Sequence, residues 1–157
     1  MLLQLRLDST GSVLAKDSIG LRGWTLETPA GHTAIAAGGN GLQMLLDGAG
    51  QVWAKSSIGD GGWTKERGPG IKAIAAGGNG LQMLLDGVGQ VWAKSSIGDG
   101  GWTKETPPGH TAIAAGGNGL QMLLDGAGQV WAKSSIGDGD WTLETGDGQR
   151  AIAAGEL

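Results

Sequence analysis

Between residues 34 and 66 the apolar positions come in short runs, and each run is closed by glycine. Residues 34–37, AIAA, are small and β-compatible, and the turn-forming Gly38-Gly39-Asn40-Gly41 follows them. Residues 42–46, LQMLL, carry helix-favouring side chains. Only about six residues separate the flanking glycines, too few for an isolated helix to hold, so the run reads as a strand. Asp47-Gly48-Ala49-Gly50 has the residues of a hairpin turn. Residues 51–57, QVWAKSS, then alternate Val52, Ala54 and Ser56 with Trp53, Lys55 and Ser57, the period of a half-buried strand. A Gly-rich loop leads to residues 63–66, WTKE, a fourth short strand whose charges suit an exposed edge.

The same text recurs. Copies start at residues 34, 73 and 112, and their first five residues return at 151, so the period is 39. Residues 3–28 are a divergent copy of the remainder, in register with residue 42 onward. Repeats of about 40 residues, each four short strands, predict an all-β fold: a β-propeller of four 39-residue, four-stranded blades in one domain spanning residues 1–157. One blade is split between residues 1–33 and 151–157. Pairing the C-terminal strand with the N-terminal strands would complete it and close the ring without a free edge, which predicts a monomer, with a dimer as the alternative. Slim AIAA strands suit the narrow axis of so small a ring.

The copies differ where a surface loop would. Between the second and third the exchanges are Ala49/Val88, Arg67/Thr106, Gly68/Pro107, Ile71/His110 and Lys72/Thr111, mostly between the fourth strand and the next repeat. Near-identity elsewhere indicates recent duplication or deliberate construction. The first copy departs most. Leu14 replaces the tryptophan of the third strand, Leu21 the loop aspartate, Asp17 a serine and Arg6 a leucine.

Composition narrows the function. Glycine is 33 of 157 residues, far above the roughly 7% average, and marks turns. Phe, Tyr and Cys are absent, so seven tryptophans are the only aromatics and the redox compartment cannot be read. A net charge of −4 argues against nucleic acid or an anionic membrane as partner. No apolar run is long enough to insert in a membrane, and the start, MLLQLRLDS, is too short and polar for a signal peptide. The two histidines, His32 and His110, lie in variable loops without a cysteine nearby, so no metal site is expected. No cofactor fingerprint or repeated catalytic set appears, and the chain does not read as an enzyme. Localisation stays open.

Residues 45–57, LLDGAGQVWAKSS, and 59–66, GDGGWTKE, resemble the blades of lectin-type β-propellers of the tectonin and Photorhabdus-lectin-like families, and more distantly tachylectin-2. The resemblance implies glycans as partners at several equivalent sites. A tryptophan face can stack on a sugar ring while its N–H donates a hydrogen bond. The candidates are Trp53, Trp92 and Trp131 with Trp63, Trp102 and Trp141, and the same side chains would equally serve inter-blade packing. Asp60, Asp99 and Asp138 could accept hydroxyl hydrogen bonds, or simply form turns. Asn40, Asn79 and Asn118 carry the same two readings. Lys55, Lys94 and Lys133 read as solvated surface lysines. The expected function is therefore a multivalent carbohydrate-binding lectin. The alternative is a symmetric structural or protein-interaction scaffold, natural or engineered, without a sugar site.

Overall fold

The computed structural model describes residues 3–20, 23–59, 62–98, 101–137 and 140–154. Their regular structure is strands and three short 3-10 turns. The first repeat forms β1 (Gln4–Leu7), β2 (Val13–Lys16) and β3 (Thr25–Thr28). The second forms β4 (His32–Ala37), β5 (Gln43–Asp47), β6 (Val52–Lys55) and β7 (Thr64–Arg67). The third forms β8 (Ala73–Ala76), β9 (Gln82–Leu85), β10 (Val91–Lys94) and β11 (Thr103–Lys104). The fourth forms β12 (His110–Ala115), β13 (Gln121–Asp125), β14 (Val130–Lys133) and β15 (Thr142–Thr145).

Each repeat is one antiparallel meander, three-stranded in the first and four-stranded in the others. The Leu-Gln-Met-Leu-Leu run is a strand, as its glycine brackets require: Met44 pairs with Ala36 on one side and Ala54 on the other. The Gly-Asn-Gly turns hold Asn40, Asn79 and Asn118 at φ of 56°, 55° and 53°, the left-handed region that asparagine tolerates.

The core lies between neighbouring sheets. Leu42, Met44, Leu46, Val52, Ala54 and Ile71 of the second blade are covered by Ile74, Leu84, Trp92, Ile97 and Trp102 of the third. Ala75, Leu81, Met83, Leu85, Val91 and Ala93 of the third are covered in the same way by Ile113, Leu123, Trp131, Ile136 and Trp141 of the fourth. Near the axis, Gly39 N–H donates to Gly77 O and Gly78 N–H to Gly116 O, both at 3.0 Å.

The expected closing pair is not formed among the described residues. Residues 151–154 form no strand, and among the described residues nothing pairs with the free edge of β1. The outer strand of the fourth blade, β15, is exposed along its length. Among the described residues the four blades make an open arc, with Ile19 of the first blade and β15 of the fourth both exposed. Length arithmetic suggests a ring, but a ring also needs each blade to turn far enough toward the next, and bulky Trp, Leu, Ile and Met side chains fill the space between neighbouring sheets.

Candidate functional site

Six of the seven tryptophans fall into two sets, and each of these six has its N–H engaged within the protein. In the third strand of each blade, Trp53, Trp92 and Trp131 donate to Asp47, Asp86 and Asp125 Oδ2 at 3.0, 2.9 and 2.9 Å. The other carboxylate oxygen caps the hairpin turn: Asp47 Oδ1 accepts from the backbone N–H of Ala49 and Gln51 at 2.9 and 3.0 Å. One aspartate thus closes the turn and orients the indole. Trp92 also has the Arg67 guanidinium 4.2 Å from its ring centroid.

These bonds favour the ionised aspartate. At Asp47 burial raises the pKa, but the bonds from Gln51, Trp53 and Ala49 outweigh it and hold the carboxyl below the ordinary value. Asp86 follows the same balance, with burial opposed by Trp92, Gln90 and Val88. At Asp125 the indole of Trp131 is the leading cause of the lowering. In the first blade Leu14 offers no N–H, and the Thr10 hydroxyl donates to Asp8 at 2.7 Å instead and lowers it.

The second set belongs to a latch between blades. Trp63, Trp102 and Trp141 donate to the backbone oxygens of Glu27, Glu66 and Glu105 at 3.4, 3.0 and 3.2 Å, each in the preceding blade. The carboxylates of the same glutamates pair with Lys55, Lys94 and Lys133. They also accept the N–H of Gly59, Gly98 and Gly137 at 2.9, 2.8 and 2.9 Å. Each ammonium lies 5.1 to 5.2 Å from the centroid of the latch tryptophan. The lysines are therefore not solvated: Lys55 and Lys94 are 6% exposed. Sequence reading missed the glutamates because Trp-Thr-Lys-Glu looks like a charged edge. The available signal was the repeat itself, since Glu27, Glu66, Glu105 and Glu144 recur in step with Lys16, Lys55, Lys94 and Lys133.

Of the other candidates, Asp60, Asp99 and Asp138 lie outside the described residues. Asn40, Asn79 and Asn118 are exposed on turns around the axis. They sit beside a cavity of ≈ 260 Å³ lined by Ala37, Ala76, Ala115, Ala154 and neighbouring glycines. No metal-binding group of His, Cys, Asp and Glu occurs among the described residues. No described helix is long and apolar enough to cross a membrane.

The opposite end carries the hairpin turns and the variable loops. His32 Nδ1 lies 3.1 Å from Pro29 O and 3.2 Å from Gly11 O, and His110 repeats this with Pro107 and Gly89. Both histidines tie their loop to a hairpin turn. In the second loop Ile71 stands in the histidine's place and is 7% exposed. Two clefts of ≈ 400 and ≈ 370 Å³ open at this end, and both are lined by Asp86, Gly87 and Val88. Val88 itself is 63% exposed.

No protein-family model and no curated protein matches the chain. Solved structures do resemble it. Prp20p from Saccharomyces cerevisiae aligns with a TM-score of 0.59 at 16% identity, over 82% of this chain and 42% of that one. YCF48 from Cyanidioschyzon merolae aligns at 0.58 and 13%, over 97% of this chain and 55% of that one. A structure of YCF48 bound to D1 peptide aligns at 0.58 and 14%, over 90% and 51%. The chain is an all-β array of propeller blades with a repeat of about 39 residues. It spans about half the length of the propellers it resembles.

Proposed function

We propose that the chain is a protein-interaction scaffold whose contact surface is the loop end around Val88. The observation that carries this reading is the coincidence of three features there: the loops that vary between copies, two open clefts, and an exposed apolar side chain between them. Arg67, which only the second loop has, and Lys72 add cations to the rims of these clefts. The Asp86 carboxylate in both linings is already engaged by Val88, Gln90 and Trp92, so a cleft with an apolar post and flanking cations suits an acidic peptide with an apolar anchor. The propellers of similar fold support the class: Prp20p is described by its binding to Gsp1p and histones, and YCF48 was solved with a D1 peptide.

Carbohydrate binding through Trp53, Trp63, Trp92, Trp102, Trp131 and Trp141 is the competing reading. The indole N–H groups it would use already have partners inside the protein. Panning a displayed peptide library against the chain, beside a glycan array, separates the two. Selected acidic peptides should lose at least about tenfold in affinity on Val88→Asp, the scale of one lost apolar contact. The melting temperature should not change, because the side chain is exposed. A glycan signal abolished by Trp92→Leu in a folded protein, with no peptide selected, would overturn the scaffold reading.

A further inference from the structure

The arc leaves two faces uncovered, and each lacks what the other carries. The first blade has Lys16, Gly20 and Trp24 at the positions where Lys55, Gly59 and Trp63 grip Glu27. Among the described residues nothing packs on this face of it. Lys16 lies 4.9 Å from the Trp24 ring centroid but has no carboxylate partner among the described residues. Ile19 is 79% exposed, whereas its equivalents Ile97 and Ile136 pack on the preceding blade. Arg6 adds a second cation over Trp24, at 5.0 Å.

The fourth blade shows the other half. Glu144 follows Glu27, Glu66 and Glu105 in the repeat, yet it is exposed and makes no ion pair among the described residues. Met122 and Ala132 are partly exposed, while their equivalents Met83 and Ala93 are fully buried. Beyond β15, residues 151–154 repeat the AIAA of β8 without a sheet. Ala154 shares the axial cavity with Ala37, Ala76 and Ala115, so this segment stands in the row of inner strands. The first blade is the sheet that has no inner strand.

We propose that these two faces bind each other between two copies of this chain, and that two arcs close into an eight-bladed ring. Each interface repeats one the arc already contains. Glu144 of one copy takes Lys16, Gly20 N–H and Trp24 N–H of the other. Residues 151–154 of one copy add to β1 of the other, and the register of β4 on β5 places Ala151 opposite Leu7 and Ala154 opposite Gln4. The two contacts are equivalent by a two-fold axis and leave no inner sheet edge open at either seam. Size agrees, since one arc matches 42% to 55% of a propeller chain.

Light scattering on the 157-residue chain tests this. The expected mass is twice the 15.8 kDa of one chain. Glu144→Lys and Lys16→Glu should each weaken the dimer by at least about 10⁴-fold, because each removes the ion pair from both contacts and breaking one buried pair is worth about 100-fold or more. Mixing the two variants should restore it, because both contacts in the mixed ring pair opposite charges. Circular dichroism melts confirm that each variant is folded. A unaltered chain that stays monomeric at all concentrations overturns the proposal. So does a dimer that neither substitution weakens, or one that mixing fails to rescue. Open-ended polymers sensitive to both substitutions would overturn the ring.

Discussion

At the scale of the residue, the turn aspartate does two jobs through one carboxylate. Asp86 accepts two backbone N–H bonds from Val88 and Gln90 on Oδ1, and the Trp92 indole on Oδ2. All of these require the ionised form, which is why Asp8, Asp47, Asp86 and Asp125 sit below the ordinary value of 3.8. A carboxyl lowered in the folded state stabilises the fold above its unfolded pKa, and the contribution is lost as pH falls through the folded one. Melting temperature should therefore be insensitive to these groups near neutral pH and drop on acidification below 3.8. Asp86→Asn should lower the melting temperature at pH 7 and flatten that acid limb, because the group no longer titrates. An acid limb equally steep in the variant would remove Asp86 from this account. The first copy shows the same chemistry from the other side. Where Leu14 replaces the indole, Thr10 brings a hydroxyl to Asp8, so a second donor type serves the turn.

At the scale of the element, close approach of backbones is what the paired glycines provide. Gly77 has an ordinary extended φ of −121°, so its role is not conformational freedom. A Cβ there would come within 2.5 Å of Gly116 O, the acceptor of the Gly78 N–H bond between blades. Gly77→Ala should cost about 1–3 kcal/mol, as overpacking against a backbone that cannot turn aside does. At roughly 2–4 °C per kcal/mol for a chain of this size, the fall in melting temperature is easily measured. Gly101→Ala is the control, since nothing lies within 4 Å of it. The strands and their turns were legible in the sequence because glycine brackets each run and period-two alternation marks the third strand. The Trp-Asp bond and the glutamate latch were not. Local pattern assigns Trp63 and Glu66 to one short charged strand. Their partners lie in neighbouring blades, and a pairing across sheets leaves no mark on the pattern of either strand alone.

At the scale of the whole molecule, the arc is close to a one-dimensional stack, since its core clusters and latches run between successive blades. Its stability is then close to a sum of blade terms and interface terms. Each internal interface has the same latch, with Glu66 and Lys94 buried at 0% and 6% side-chain exposure between the second and third blades. Glu66→Gln keeps the shape of the side chain and an oxygen for the Gly98 N–H, but leaves the Lys94 ammonium buried without its counter-charge. Such a change costs about 3–5 kcal/mol. It falls at the middle of the stack, so the arc should open between two halves of two blades each. Limited proteolysis should cut first in residues 67–72, the loop that joins those halves, and the melting transition should broaden or split. Glu144→Gln makes the same chemical change on an open face, where the carboxylate is solvated in the single arc. In dilute protein it should leave melting unchanged, and in concentrated protein it should lower it, because only there does a second copy cover that face. Equal melting losses for the two variants in dilute protein would mean that Glu144 is already latched within its own chain. The arc would then be a closed ring of four.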